Sequence, residues 1–127
     1  MDKVVHFEIP AKDYEKQKKF YLDIFGWQIT EWPGTKTRYG MVTTTPTGDK
    51  GPIEPGAING ALMEPSQPYE NTTIVTIEVE SIDEYLKKIE AMGGKVLMAK
   101  WPVGEMGYMA RFADLEGNTV GLWETKK

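Results

Sequence analysis

Two stretches decide the reading: Val4-Val5-His6-Phe7-Glu8-Ile9 and Ile74-Val75-Thr76-Ile77-Glu78-Val79. Each alternates and is rich in β-branched residues, the pattern of a strand with one buried face. Val5, Phe7 and Ile9 match Val75, Ile77 and Val79. After each stretch the apolar spacing turns helical. Residues 13–25 predict a helix with Asp13 near its start and Gly26 as its stop; residues 82–92 predict a second, ended by Gly93-Gly94.

Working outward, a strand resumes after each helix, at residues 27–32 and 95–98, and Pro33-Gly34 reads as a turn. Two further strands are expected in each half. In the first they are residues 37–43 and 58–63, joined by a Gly/Pro-rich stretch at 44–56. In the second they are residues 108–113 and 119–125, hinged by Asp114-Leu115-Glu116-Gly117-Asn118. The tails match as Ile58-Asn59-Gly60-Ala61-Leu62 with Thr119-Val120-Gly121-Leu122-Trp123, which pairs Gly60 with Gly121. Strand, helix, glycine stop, strand occurs twice, so the chain is a divergent duplication. The fold class expected is α+β. Residues 1–64 form a first β-α-β-β-β module, residues 65–72 a linker holding Pro65 and Pro68, and residues 73–127 a second module.

Composition narrows the function. The 127 residues are 40% hydrophobic and 27% charged, with a formal net charge of −4. That is an ordinary globular balance with enough chain for a core. No run of Lys or Arg is dense enough to follow a phosphate backbone, which argues against nucleic acid. There are no cysteines, so disulfides, thiolate metal sites and cysteine nucleophiles are excluded. The N-terminus reads as neither signal peptide nor membrane span, and the expected address is the cytoplasm.

These features resemble the vicinal oxygen chelate superfamily: glyoxalase I, extradiol dioxygenases, and the bleomycin- and fosfomycin-resistance proteins. The residues that carry the resemblance are His6, Asp13 ahead of Phe20-Tyr21, Phe25-Gly26-Trp27, and the 114–118 turn ahead of Gly121-Leu122-Trp123. It covers nearly the whole chain and is nearest to small proteins described as related to lactoylglutathione lyase. The resemblance implies a curled mixed sheet, a half-barrel with the helices outside, around a central pocket. It also implies metal ligands, His or Gln and Glu, on the first and last strands of each module.

Residue by residue, His6 fills the first ligand position, but its counterpart is Thr76, and glycine (Gly60 and Gly121) stands at both last-strand positions. A divalent ion in a catalytic site needs about three protein ligands. The expectation is therefore a pocket without the family metal or any other cofactor. The alternative is a divalent metal held by His6 with Glu8, Glu78 or Glu64, in a lyase, isomerase or dioxygenase. Glu124 falls on the opposite strand face.

His6, Glu8 and Glu78 are the candidate catalytic groups. His6 reads either as a general base or as a hydrogen-bonded pocket-wall residue. Glu8 and Glu78 read either as an acid–base pair, or receptor for a cationic ligand, or as partners of Arg38 and Arg111. Thr76, Tyr39, Trp101, Tyr108, Arg111 and Trp123 are candidate ligand contacts, and Met41 is counted with them as a wall residue. Phe20, Tyr21, Phe25 and Trp27 are assigned to the helix–sheet core. The function expected is small-molecule binding or turnover in a glyoxalase-like scaffold. A second alternative is a drug-sequestering protein without catalysis. A homodimer is expected, because open sheet edges call for a cover.

Overall fold

β1 (Val4–Pro10) leads into α1 (Tyr14–Phe25), which the Asp13 side chain caps by accepting from Lys16 N at 3.3 Å. Gly26 ends the helix in the left-handed region (φ 69°), and its N–H donates to Leu22 O at 3.0 Å. The computed structural model describes residues 1–33 and 35–127. The turn expected at Pro33-Gly34 thus has its glycine outside the described residues. The first module continues with β2 (Gln28–Glu31), β3 (Tyr39–Thr43), a hairpin of β4 (Thr47–Gly48) and β5 (Gly51–Pro52), and β6 (Asn59–Met63). That small hairpin lies inside the stretch read from sequence as a plain connection.

The second module is β7 (Ile74–Glu78), α2 (Ile82–Ala91), β8 (Lys95–Val103), β9 (Gly107–Ala113) and β10 (Thr119–Thr125). Ser81 caps α2 by accepting from Glu84 N at 3.3 Å. Gly94 N donates back to Ile89 O at 2.8 Å, past Gly93 at φ 99°. β8 runs several residues beyond the strand expected there, because Trp101 and Pro102 still pair with β9. Proline is tolerated on this strand, which has a neighbour on one side within its module.

Strand order within the first module is β2-β3-β6-β1, and within the second β8-β9-β10-β7. In each, the first strand pairs parallel with the last, and the other pairs are antiparallel. The chain divides into two compact units: His6–Thr73, and Met1–Val5 with Ile74–Lys127. Residues 64–73, read from sequence as mostly linker, stay with the first unit. There, buried Glu70 gathers Ser66 N, Ser66 Oγ and Gln67 N on its Oε1 at 2.8 to 3.0 Å. The opening residues stay with the second: Glu78 N donates to Lys3 O at 3.0 Å.

Each unit has its own core. Ala11, Tyr14, Val42 and Leu62 form one, with Phe7, Ile9, Tyr21 and Trp27 packed on it. Val79, Ile82, Leu86, Ala110 and Leu122 form the other. Phe20 and Phe25 are not core residues: they are 53% and 58% exposed, on the flank of a ring ladder in which Tyr21 stacks on Trp27 at 4.9 Å. Only Tyr14 of α1 is fully buried, so the helix packs a narrower stripe than its aromatic content suggests.

Candidate functional site

Alternation on β1 sends Phe7 and Ile9 to the α1 core and His6 and Glu8 to the other face. Register fixes what stands beside them. His6 pairs with Asn59, Phe7 with Gly60, and Glu8 with Ala61. Gly60 therefore faces the α1 core; a Cβ there would lie 2.4 Å from Phe7 O and 2.5 Å from its ring. In the second module Thr76 pairs with Gly121, and a Cβ at Gly121 would lie 2.6 Å from Thr76 Oγ1. The counterpart of Gly121 is thus Asn59, and the Gly60–Gly121 match is off by one residue. Two identical glycines aligned the tails, but they lie on opposite faces.

On the first module's polar face three side chains join. Tyr39 Oη donates to Glu8 Oε2 at 2.7 Å, and His6 Nε2 lies 3.1 Å from Tyr39 Oη. Because the phenol spends its proton on the carboxylate, it accepts from the imidazole. His6 is thereby held as the Nε2–H tautomer, which puts the lone pair of the neutral ring on Nδ1. Glu8 is 3% exposed, so its carboxylate acts in a low-dielectric setting. Asn59 is the residue that sequence reasoning missed. Its Oδ1 accepts from Thr44 N at 2.9 Å and its Nδ2 donates to Thr47 Oγ1 at 2.8 Å, which fastens the hairpin loop beside His6. Alternation counted back from buried Leu62 is the signal that finds it.

The second module repeats this wiring with different chemistry. Trp123 Nε1 donates to Thr125 Oγ1 at 3.0 Å, and Thr125 Oγ1 donates to Glu78 Oε2 at 3.0 Å. Ring N–H, hydroxyl, first-strand glutamate: the order is that of His6, Tyr39 and Glu8. An indole offers only a donor, so the ring of this copy cannot take up a proton. Glu78 also pairs with Lys3 at 4.0 Å.

The remaining candidates separate by strand face. Arg111, 3% exposed, pairs with Gly121 and with Met98; Trp123 pairs with Met109, which pairs with Trp101. All share the face of Thr76. Tyr108 does not: it packs on the α2 core with Lys100 Nζ 4.3 Å over its ring. Glu124 is on that side too, as expected, where Oε2 accepts from Ile82 N at 2.8 Å and Oε1 takes Lys100 at 3.2 Å. Those bonds hold its carboxyl below the usual range despite partial burial. Arg38 bonds Glu15 and Glu31 and lies over the Tyr14 ring.

The donors do not fit a divalent metal. Beside His6 stands an amide committed to two threonines, and the matching second-module positions hold a hydroxyl and a glycine. Among the described residues no three His, Asp or Glu side chains form a ligand group. Glu64, the further alternative, lies one residue past β6, its backbone N bonded to Arg38 O at 2.8 Å. Among the described residues no helix is long and apolar enough to cross a membrane.

Comparison with known proteins gives the family and the fold. CFP32, named as a candidate glyoxylase in Mycobacterium tuberculosis and Mycobacterium bovis, is 31% identical over 124 residues, 94% of this chain and 44% of that protein. The chain therefore spans less than half the length of CFP32. A glyoxylase-like domain-containing protein of Didymella fabae is 32% identical over 117 residues, covering 91% of this chain and 88% of that one. Among solved structures, a Streptomyces coelicolor methylmalonyl-CoA epimerase variant in complex with 2-nitronate-propionyl-CoA superposes with a TM-score of 0.70 at 18% identity over 98% of each chain. The hypothetical protein BH1468 of Bacillus halodurans gives 0.68 at 16% identity, over 99% of this chain and 96% of that one. At such identities the likeness is one of fold. A family model described as the Glyoxalase/Bleomycin resistance protein/Dioxygenase superfamily matches residues 3–122, and the chain belongs to that superfamily.

Proposed function

We propose that this chain acts on a small organic molecule by moving a proton through His6, without a metal ion or other cofactor. The observation that supports it is the hydrogen-bonded run from Glu8 through Tyr39 to His6. A general base needs a fixed tautomer and a partner that favours its charged form. Tyr39 supplies the first and the buried Glu8 carboxylate, through Tyr39, the second. The relatives are named for glyoxylases and the epimerase neighbour holds a CoA ester. Both names suit one reaction class: proton abstraction at a carbon next to a carbonyl.

Hydrogen–deuterium exchange in D₂O, followed by NMR on hemithioacetals of 2-oxoaldehydes and on short acyl thioesters, tests this. Exchange that persists in a chelator and falls about 10²- to 10⁴-fold in His6→Gln is the expected result. Exchange that requires added metal, or that survives the substitution, refutes it. A homodimer in a reducing cytoplasm belongs to the same proposal. It is supported by the terminal strands β2 and β8, each with one neighbour in its module, and by the lack of cysteine. A monodisperse monomer in sedimentation at micromolar concentration contradicts the dimer.

A further inference from the structure

The second module has a sheet face opposite its α2 core. One row of that face, read across β7, β10, β9 and β8, is Glu78, Trp123, Met109 and Trp101. The next row is Thr76, Gly121, Arg111 and Met98. Ile77, Ala110, Phe112 and Leu122, on the opposite face, take up the α2 core.

Two irregularities in β8 build this face. Register shifts between Val96 and Met98, and again between Met98 and Trp101. Val96 points to the α2 core beside Phe112, and in a regular strand Met98 would follow it there. The first extra residue turns Met98 to the other face beside Arg111, and the second brings Trp101 to that same face beside Met109. Without the bulges neither the thioether nor the indole keeps its place. Trp101 ends up 63% exposed at the rim, while Trp123 is held by its bond to Thr125.

We propose that this face binds a flat or elongated apolar molecule ending in an oxyanion, a carboxylate or a phosphate. The apolar body lies on Trp101, Met98, Met109 and Trp123, and the anion meets Arg111. Indole and thioether surfaces accept planar and irregular apolar groups. A guanidinium carries five N–H donors in a planar fork that matches an oxyanion, enough to hold a neighbouring protein group and a ligand together. The acid in the other row, Glu78, is at the far strand and bonded to Thr125 and Lys3. The proposal rests on the small-molecule reading above and concerns the face of the second module alone.

Calorimetry on the intact protein with phenylbutyrate, phenylbutyramide, phenylbutylamine and phenyl phosphate tests it. Phenylbutyrate or phenyl phosphate should bind at least about tenfold more tightly than the amide, as a charge-assisted bond predicts. The ratio between those two oxyanions tells carboxylate from phosphate. Trp101→Ala, at an exposed position, should weaken the preferred probe severalfold, and Arg111→Lys should narrow the oxyanion preference. Equal binding of acid and amide, tightest binding of the amine, no binding of any probe, or an unchanged Trp101→Ala overturns the proposal. The acid–amide comparison needs no variant, so a misfolded Arg111→Lys does not shelter it. The exchange experiment on His6→Gln and the acid–amide comparison on the parent are separate measurements, so failure of the proton-transfer reading and failure of the oxyanion preference are distinguishable.

Discussion

Tyr39 Oη donates to Glu8 Oε2 across 2.7 Å, and this one bond decides which nitrogen of His6 carries the proton. The phenol cannot donate in both directions, so the imidazole at 3.1 Å must donate to it. The chain's one histidine is thus oriented through a residue that supplies no charge itself.

Tyr39→Phe removes the joint and keeps the ring. The chain has one histidine, so its ring nitrogens give one set of NMR signals. The parent should show the Nε2–H tautomer above the imidazole titration, and Tyr39→Phe should show a mixture of both. A parent ring protonated at Nδ1 instead would contradict the wiring.

The two last-strand glycines should respond differently to alanine. At Gly60 the new Cβ meets Phe7 O at 2.4 Å, a backbone atom held in the β1–β6 pairing. Overpacking of that kind costs about 1–3 kcal/mol, and no side-chain change relieves it. At Gly121 the obstacle is Thr76 Oγ1 at 2.6 Å. Thr76→Ala should recover much of the Gly121→Ala loss, with a coupling of about 0.5–3 kcal/mol in a double-mutant cycle. Urea denaturation of the four proteins measures it. Additive losses would show that the glycine–threonine contact is not the constraint.

How far the sequence reveals this molecule depends on what each feature rests upon. Both modules, both helices and their stops were readable, because alternation, helical spacing and glycine punctuation are local properties. The face of Glu124 was readable for the same reason. Register was not: the resemblance of residues 58–62 to 119–123 put glycine on glycine, while strand pairing puts Asn59 where Gly121 stands. Bulges in β8 have no local signature, so the joint placement of Met98 and Trp101 emerges only from pairing with β9. The sequence does not separate Tyr108 from a pocket residue, because an aromatic suits either face of a strand. Tyr39 was read as a wall residue, since a side-chain relay between β1 and β3 depends on which strands become neighbours.

Glu124 should make the stability of the second module acid-sensitive. Its carboxylate accepts from Ile82 N at the start of α2 and pairs with Lys100, and its folded pKa is lowered, first by the Ile82 bond. A carboxyl with a lowered folded value stabilises the fold above its unfolded value, and the gain is lost as pH falls through the folded value. Glu124→Ala should cost about 0.5–2 kcal/mol at neutral pH, in the range of helix-end partners. The difference from the parent should shrink as pH drops through the carboxylate range. Thermal melts at neutral and acid pH check both; a gap that does not change with pH would assign the loss to packing.

Divalent ions provide the last check, because the donor set argues against them residue by residue. A site needs about three ligands. His6 has Asn59 beside it, the Asn59 amide is taken up by Thr44 and Thr47, and Thr76 and Gly121 fill the matching second-module positions. An ion that binds the folded chain stabilises it by about 2.7 kcal/mol at one hundred times its dissociation constant, enough to move a melting curve by several degrees. Chelator-treated protein titrated with Zn²⁺, Ni²⁺ and Mn²⁺ should therefore melt where it did before. A stoichiometric shift that disappears in His6→Gln would mean that carboxylates such as Glu8 leave their hydrogen bonds to complete a cage. The proton-transfer proposal would then give way to metal chemistry.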